Sequence, residues 1–193
     1  MKKSTMILIA VVAILGIWAV SSYNGLVDKD ETVKQVWGDV ESAYQRRADL
    51  IPNLVNVVKG YAKHENETLK EVVEARSKAT GINVNIDELD EESIQKFQQA
   101  QSQLSGCLSR LMAVAEAYPD LKANENFLQL QSQLEGTENR INEARKKFNA
   151  TVKPYNMAVR QFPGSICAAL FGFKTKAEFQ ADPDAKNAPK VEF

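Results

Sequence analysis

The side chains that could act together chemically are few and sit close in sequence. Arg46, Arg47, Asp49 and Asn53 lie within one short stretch, His64 and Glu65 follow it, and Arg76 closes the group. Arginines beside carboxylates make strong charge-assisted hydrogen bonds, and a histidine beside a glutamate can move a proton. On helices folded against each other the group has two readings. It is a polar binding site inside a bundle, or a buried charge network that fixes how the helices meet. The second is favoured, because a charge removed from water needs a partner. Glu65 falls in a core phase between Tyr61 and Leu69, so it calls for a partner such as Arg76 or Arg145. His64 is the single histidine. Without a serine or cysteine nucleophile beside it, acid–base or covalent catalysis has no constellation, and the chain reads as no enzyme.

Metal chemistry fares no better. Cys107, Cys167 and His64 are three scattered ligands with no close spacing. One histidine rules out a two-histidine zinc box and paired Glu-x-x-His di-iron sites within one chain. No metal and no cofactor is expected. Cys107 reads as a small packed helical residue, and a bond to Cys167 would depend on geometry. The 193 residues carry 24 Lys+Arg against 25 Asp+Glu, a net charge of -1, which excludes the basic footprint of a nucleic-acid binder.

The elements that carry these residues start with a membrane segment. Met6 to Val20 is uninterrupted apolar sequence, preceded by Lys2 and Lys3 and followed by Tyr23. With its flanks it reaches about 20 residues, or about 30 Å as a helix, enough to cross a bilayer. Trp18 and Tyr23 suit the membrane interface. A retained anchor is favoured over a signal peptide cut near Ala19-Val20-Ser21 and over a buried core helix. Lys2 and Lys3 keep the N-terminus cytoplasmic, which places the remaining chain outside the cytoplasm.

Beyond the anchor, apolar residues recur at helical spacing. A first helix spans about Asp28 to Arg47, with Leu26, Val33, Trp37, Val40 and Tyr44 in its stripe. A second carries Leu54, Val58, Tyr61, Leu69, Val72 and Ala79, with Asp49 as N-cap and Pro52 in its first turn. A proline kink in one continuous helix is the other reading. Gly81 to Asp90 breaks the period and forms a loop. Asp90 or Ser93 caps a third helix that ends at Pro119, and a fourth starts near Asn124, where Pro154 should kink or end it. Gly38, Gly60, Gly106 and Gly136 fall inside helices, where close helix approach would offset their poor propensity. The fold predicted is all-α: a transmembrane helix, then an antiparallel up-and-down four-helix bundle of long helices, a rod of about 30–45 Å. The division is an anchor at 1–23, a bundle at 24–179 and a loose tail at 180–193.

Several strings are long and specific: Tyr23-Asn24-Gly25-Leu26-Val27, then Arg46-Arg47-Ala48-Asp49-Leu50-Ile51-Pro52-Asn53-Leu54-Val55, Gly60-Tyr61-Ala62-Lys63-His64-Glu65, Ala75-Arg76 and Ala115-Glu116-Ala117-Tyr118-Pro119-Asp120-Leu121. With Tyr155-Asn156, Phe162-Pro163 and Gly172-Phe173 they resemble the LemA family from the anchor to about Phe179. Pro154 departs from the unbroken helix expected there. The resemblance implies a bacterial single-pass protein of the cytoplasmic membrane with a helical bundle and no activity established for the family as a whole. It favours an organising or adaptor role.

Two partner surfaces follow. Residues 6–20 would engage the lipid bilayer. Phe171, Phe173 and Phe179 either cap the open end of the bundle or offer aromatics to a protein or to the bilayer surface. The favoured function is a membrane-anchored scaffold acting through protein contacts. The alternative is a binder of a small or lipidic ligand, which predicts an elongated apolar cavity in the bundle interior.

Overall fold

A computed structural model describes residues 3–180. The expected tail lies outside these residues, except for Gln180. Among the described residues there are six α-helices: α1 (Lys3–Tyr61), α2 (Asn66–Gly81), α3 (Glu91–Glu116), α4 (Pro119–Lys122), α5 (Glu125–Arg160) and α6 (Gly164–Phe171). There is no strand among the described residues, and a single 3-10 turn, Ile86–Glu88, lies between α2 and α3. The all-α bundle is the architecture predicted, but its first reversal is elsewhere.

Asp49 caps nothing. The first and second predicted helices join, together with the apolar segment, in one 59-residue helix that runs through Pro52. At 1.5 Å per residue it is about 88 Å long, and α5 about 54 Å, so the rod is longer than predicted. The reason is visible in the stripe. Tyr44, Arg47, Ala48, Ile51, Leu54 and Val58 are buried in unbroken i, i+3, i+4 succession across the proline. The chain reverses instead at Ala62 to Glu65, where Glu65 N–H donates to the Ala62 carbonyl.

α5 runs antiparallel along α1, pairing Lys147 with Asp39 and Glu138 with Arg47. α2 returns along the distal half of α1, and α3 runs antiparallel to α2, linked by Arg110 and Glu71. Asp90 caps α3 by accepting from Ser93 N–H at 2.8 Å, and Asn124 caps α5 by accepting from Phe127 N–H at 3.0 Å. These are the residues predicted to start those helices. Pro119 occupies the first turn of α4. Pro154 does not end α5, which continues to Arg160.

The stripes close into two clusters. One holds Trp37, Phe97, Phe148, Tyr155 and Phe179 in the half nearer the apolar segment. The other holds Ile51, Leu54, Leu104, Leu111 and Phe127 at the distal end. The close approach expected at Gly38, Gly60, Gly106 and Gly136 is absent, since a Cβ at each would meet nothing within 4 Å. It occurs at Gly164 instead, where a Cβ would stand 2.5 Å from the Ala158 carbonyl oxygen. Gly172 ends α6 with φ +79°, a conformation that favours glycine.

Candidate functional site

The predicted charge group does not form one site. Arg47 is buried, 2% exposed, and ties three helices together. Its Nη1 donates to Ser105 Oγ at 2.8 Å and to Glu138 Oε1 at 2.9 Å, and its Nη2 donates to Gln101 Oε1 at 2.6 Å. Its Nε is buried without a partner. Arg46 is exposed, and Asp49 is exposed and accepts from Gln45. Asn53 lies on the surface beside Asn126 and Gln129 of α5. His64 stands exposed in the α1–α2 turn, not within a helix. Glu65 is half-buried and accepts from Tyr118 Oη at 3.3 Å, a partner not predicted for it. Arg76 donates from Nε to the Ala48 carbonyl at 2.7 Å. Arg145 does not pair with Glu65; it lies over the Phe179 ring and donates to the Gln180 carbonyl.

Two clefts flank Arg47. One of about 760 Å³ lies between α3 and α5, with Tyr44 and Arg47 at its base and Gln98, Ser105, Glu138 and Arg145 in its walls. The other, of about 870 Å³, lies between α1 and the α2–α3 corner, with Arg46, Asp49, Thr80 and Asn83 around it. Both have substantial polar walls and border the core clusters. Burial pushes the Tyr44 phenol above its ordinary range, with a smaller upward contribution from the Glu138 carboxylate. Cys107 and Cys167 are both free and buried, in different clusters, and His64 is at the distal turn.

The feature missed from sequence is the segment after α6. Residues 173–180 run back up the bundle as an extended strap. Asn156 brackets Lys176, its Oδ1 accepting from the Lys176 N–H and its Nδ2 donating to the Lys176 carbonyl, both at 2.8 Å. Asn149, seven residues earlier on the same face of α5, does the same for Phe179 at 2.9 and 2.8 Å. Gln98 of α3 pairs in the same way with Gln180. The Phe179 ring is buried against Trp37, Phe97 and Phe148. Asparagines seven apart on a helix are the only sequence trace of this, and nothing in their type announces a backbone partner.

Lys176 is the strap's charged anchor. Only 5% exposed, its Nζ reaches Asp30 Oδ1 at 3.0 Å and the Ile86 carbonyl at 2.8 Å, and it faces the Tyr155 ring. Asp30 also meets Lys34, which meets Asp87 in turn. Burial alone would raise the Asp30 carboxyl, but hydrogen bonds from Lys34 and Lys176 outweigh it and hold it below its ordinary range. Burial and then the Asp30 carboxylate push the Tyr155 phenol up.

At the other end of the strap the aromatics separate. Phe179 belongs to the core, Phe173 is half-buried with its ring 5.8 Å from Tyr23, and Phe171 is 59% exposed with its ring 4.8 Å from Tyr23. Of the three, Phe179 cannot meet a partner. The N-terminal part of α1 contains a window long and apolar enough to cross a membrane, none of it buried against the bundle.

Known proteins share this sequence pattern. A magnetosome protein MamQ of Magnetospirillum gryphiswaldense is 28% identical over 179 residues, and MamQ 1 of Paramagnetospirillum magneticum 27% over the same length, each match taking in 83% of this chain. The chain spans 65% of the length of those relatives. Protein LemA of Metamycoplasma hominis is 26% identical over 158 residues, 82% of this chain and 68% of that protein. The LemA family model matches residues 36–193, which takes in the Arg47 tie, the reversal at Glu65 and the asparagine-held strap; the chain belongs to the LemA family.

Proposed function

We propose that this chain is a membrane-tethered helical rod that serves as a scaffold or adaptor, acting through protein contacts and not through a reaction of its own. One observation carries the reading: α1 is continuous from an apolar stretch in which no residue is buried to a stripe buried in the bundle core. A rigid helix of that kind transmits position from a bilayer to a bundle. Leaving fifteen consecutive apolar residues in water would forgo about 1.5–3 kcal/mol for each large side chain that a bilayer would take up. The relatives named as magnetosome proteins are in keeping with an organising role. The polar-walled clefts favour surface recognition over the elongated apolar cavity that a lipidic ligand would occupy. Lys2 and Lys3 before the span favour an extracytoplasmic bundle.

The test has two arms. The protein should stay with the membrane after an alkaline wash, and a cysteine placed at exposed Asn83 should react in intact cells with a reagent that cannot cross the inner membrane. Cross-linking in intact membranes should then capture a protein reproducibly. Recovery of the chain with itself alone, or release by the wash, rejects the scaffold and the tether respectively.

A further inference from the structure

We infer that α6 is a second membrane contact, an interfacial helix that enters the same leaflet as the end of the apolar segment of α1. The inference rests on the tethered reading above and goes beyond it. Residues 162–173 contain no charged side chain, an apolar interruption in a chain of which 25% is charged. In α6 the small residues Cys167 and Ala168 face inward, while Leu170 is 76% and Phe171 59% exposed; Phe162, just before it, is 81% exposed. Ile166 is exposed on the same helix. Large apolar side chains turned out and small ones turned in is the reverse of what a water-facing helix does.

The level of α6 along α1 identifies the occupant. Cys167 Sγ lies 3.9 Å from the Ala19 carbonyl oxygen, and the Phe171 ring meets Tyr23. Ala19 belongs to the last turn of the apolar run, and Tyr23 is the ring expected at the interface. α6 therefore stands at the level of the Ala19 to Tyr23 stretch of α1, next to exposed Ile17 and Val20 in sequence, at the depth where hydrocarbon gives way to headgroups. Exposed Arg160 and Lys174 flank the uncharged stretch on both sides, and Lys29 lies two turns up α1 with Asp28 beside it. The two cations that flank the stretch suit anionic headgroups. An apolar face at the bilayer boundary, continuous with a span and edged by cations, fits a lipid surface.

Full-length wild-type protein in vesicles of phosphatidylethanolamine with a minority of phosphatidylglycerol, doped with a phospholipid carrying a photoreactive group high on its acyl chain, would test this. Adducts are expected both within Met6–Val20 and at Phe162, Ile166, Leu170 or Phe171. Adducts confined to Met6–Val20 overturn the inference and leave the tether standing. Absence from Met6–Val20 removes both. The F162S/L170S/F171S variant changes only exposed side chains and should cut adducts in 162–171 by about tenfold or more while keeping those in the span. Unchanged adduct yield in that variant also overturns the assignment.

Discussion

Arg76 Nε donates to the Ala48 carbonyl oxygen at 2.7 Å, and Ala48 is the residue whose helical partner would have been the missing N–H of Pro52. A proline inside a helix frees the carbonyl four residues back, and a buried carbonyl left alone costs about 1–3 kcal/mol. Here a side chain from α2 supplies the donor. The arginine thus lets α1 continue through Pro52 and fixes the register of α2 against it. Ala75-Arg76 and the proline string, which read as separate motifs in sequence, are one hydrogen-bonded device.

A double-mutant cycle isolates that device. Arg76→Met should destabilise the bundle by about 1–3 kcal/mol in urea or thermal unfolding. In a Pro52→Ala background, which restores the N–H, the same change should cost at least about 1 kcal/mol less. Equal costs in both backgrounds would show that Arg76 does not serve the proline-freed carbonyl.

The Arg47 tie should be asymmetric. Replacing Arg47 with methionine strands the buried Gln101 Oε1 and takes the counter-charge from a half-solvated Glu138, at a cost of about 3 kcal/mol. Glu138→Gln keeps an acceptor at the cleft wall but leaves the buried Arg47 guanidinium without its carboxylate, so it should cost less than the Arg47 change yet remain measurable, about 1–2 kcal/mol. Chemical denaturation of the two variants decides it; similar losses would place the energy in the ion pair itself.

These two cases also show what the sequence made legible. Most of the apolar stripes, the cap at Asp90 in place of Ser93, the helix start at Asn124 and the exposed apolar segment are local patterns that lie where periodicity and cap chemistry place them, while Tyr61, assigned to an inward stripe, is 42% exposed. Pro52 fits a helix start as well as a kink inside one helix, and the burial of Ala48 and Ile51 in the stripe that continues through Leu54 decides for one helix. Arg47 could be named as a buried charge, but its partners Gln101, Ser105 and Glu138 lie on other helices at no fixed spacing. The strap was invisible for the same reason. Its recognition uses backbone atoms, which every residue has.

Acid should loosen the strap. The Asp30 carboxyl is held below its ordinary 3.8, so the folded state binds the proton less readily than the unfolded chain. Its contribution is fully present above about pH 3.8 and is lost as pH falls through the lower folded value. Tyr155 acts at the other extreme. Its phenol is raised above the ordinary 10.0, so its contribution holds below pH 10 and declines as pH rises beyond it. Amide hydrogen exchange of residues 173–180, corrected for intrinsic rate, should show protection falling at both ends of that range. In Asp30→Asn, which leaves the buried Lys176 ammonium without its counter-charge, protection should be reduced already at neutral pH. A strap equally protected in that variant would mean that the ion pair does not hold it.

The strap's remaining hold is divided between the Phe179 ring and three side-chain amides, Asn149, Asn156 and Gln98, and the two kinds of contact can be separated. Phe179→Ala removes the aromatic that stacks on Trp37 at 5.9 Å and meets Phe148 edge-on at 5.5 Å, so it opens a void in the core cluster. Such truncations cost about 3–5 kcal/mol where the site cannot collapse. Asn149→Ala leaves the ring in place but strips both backbone bonds of Phe179, for a loss of about 1–3 kcal/mol. The first should lower the melting temperature of the whole bundle and shift Trp37 fluorescence, because the indole loses a stacked neighbour. The second should raise exchange at Phe179 and Gln180 with little change in that fluorescence. If Asn149→Ala shifts the fluorescence as much as Phe179→Ala does, the amide bracket and the buried ring are one cooperative unit, and the strap docks or leaves as a whole.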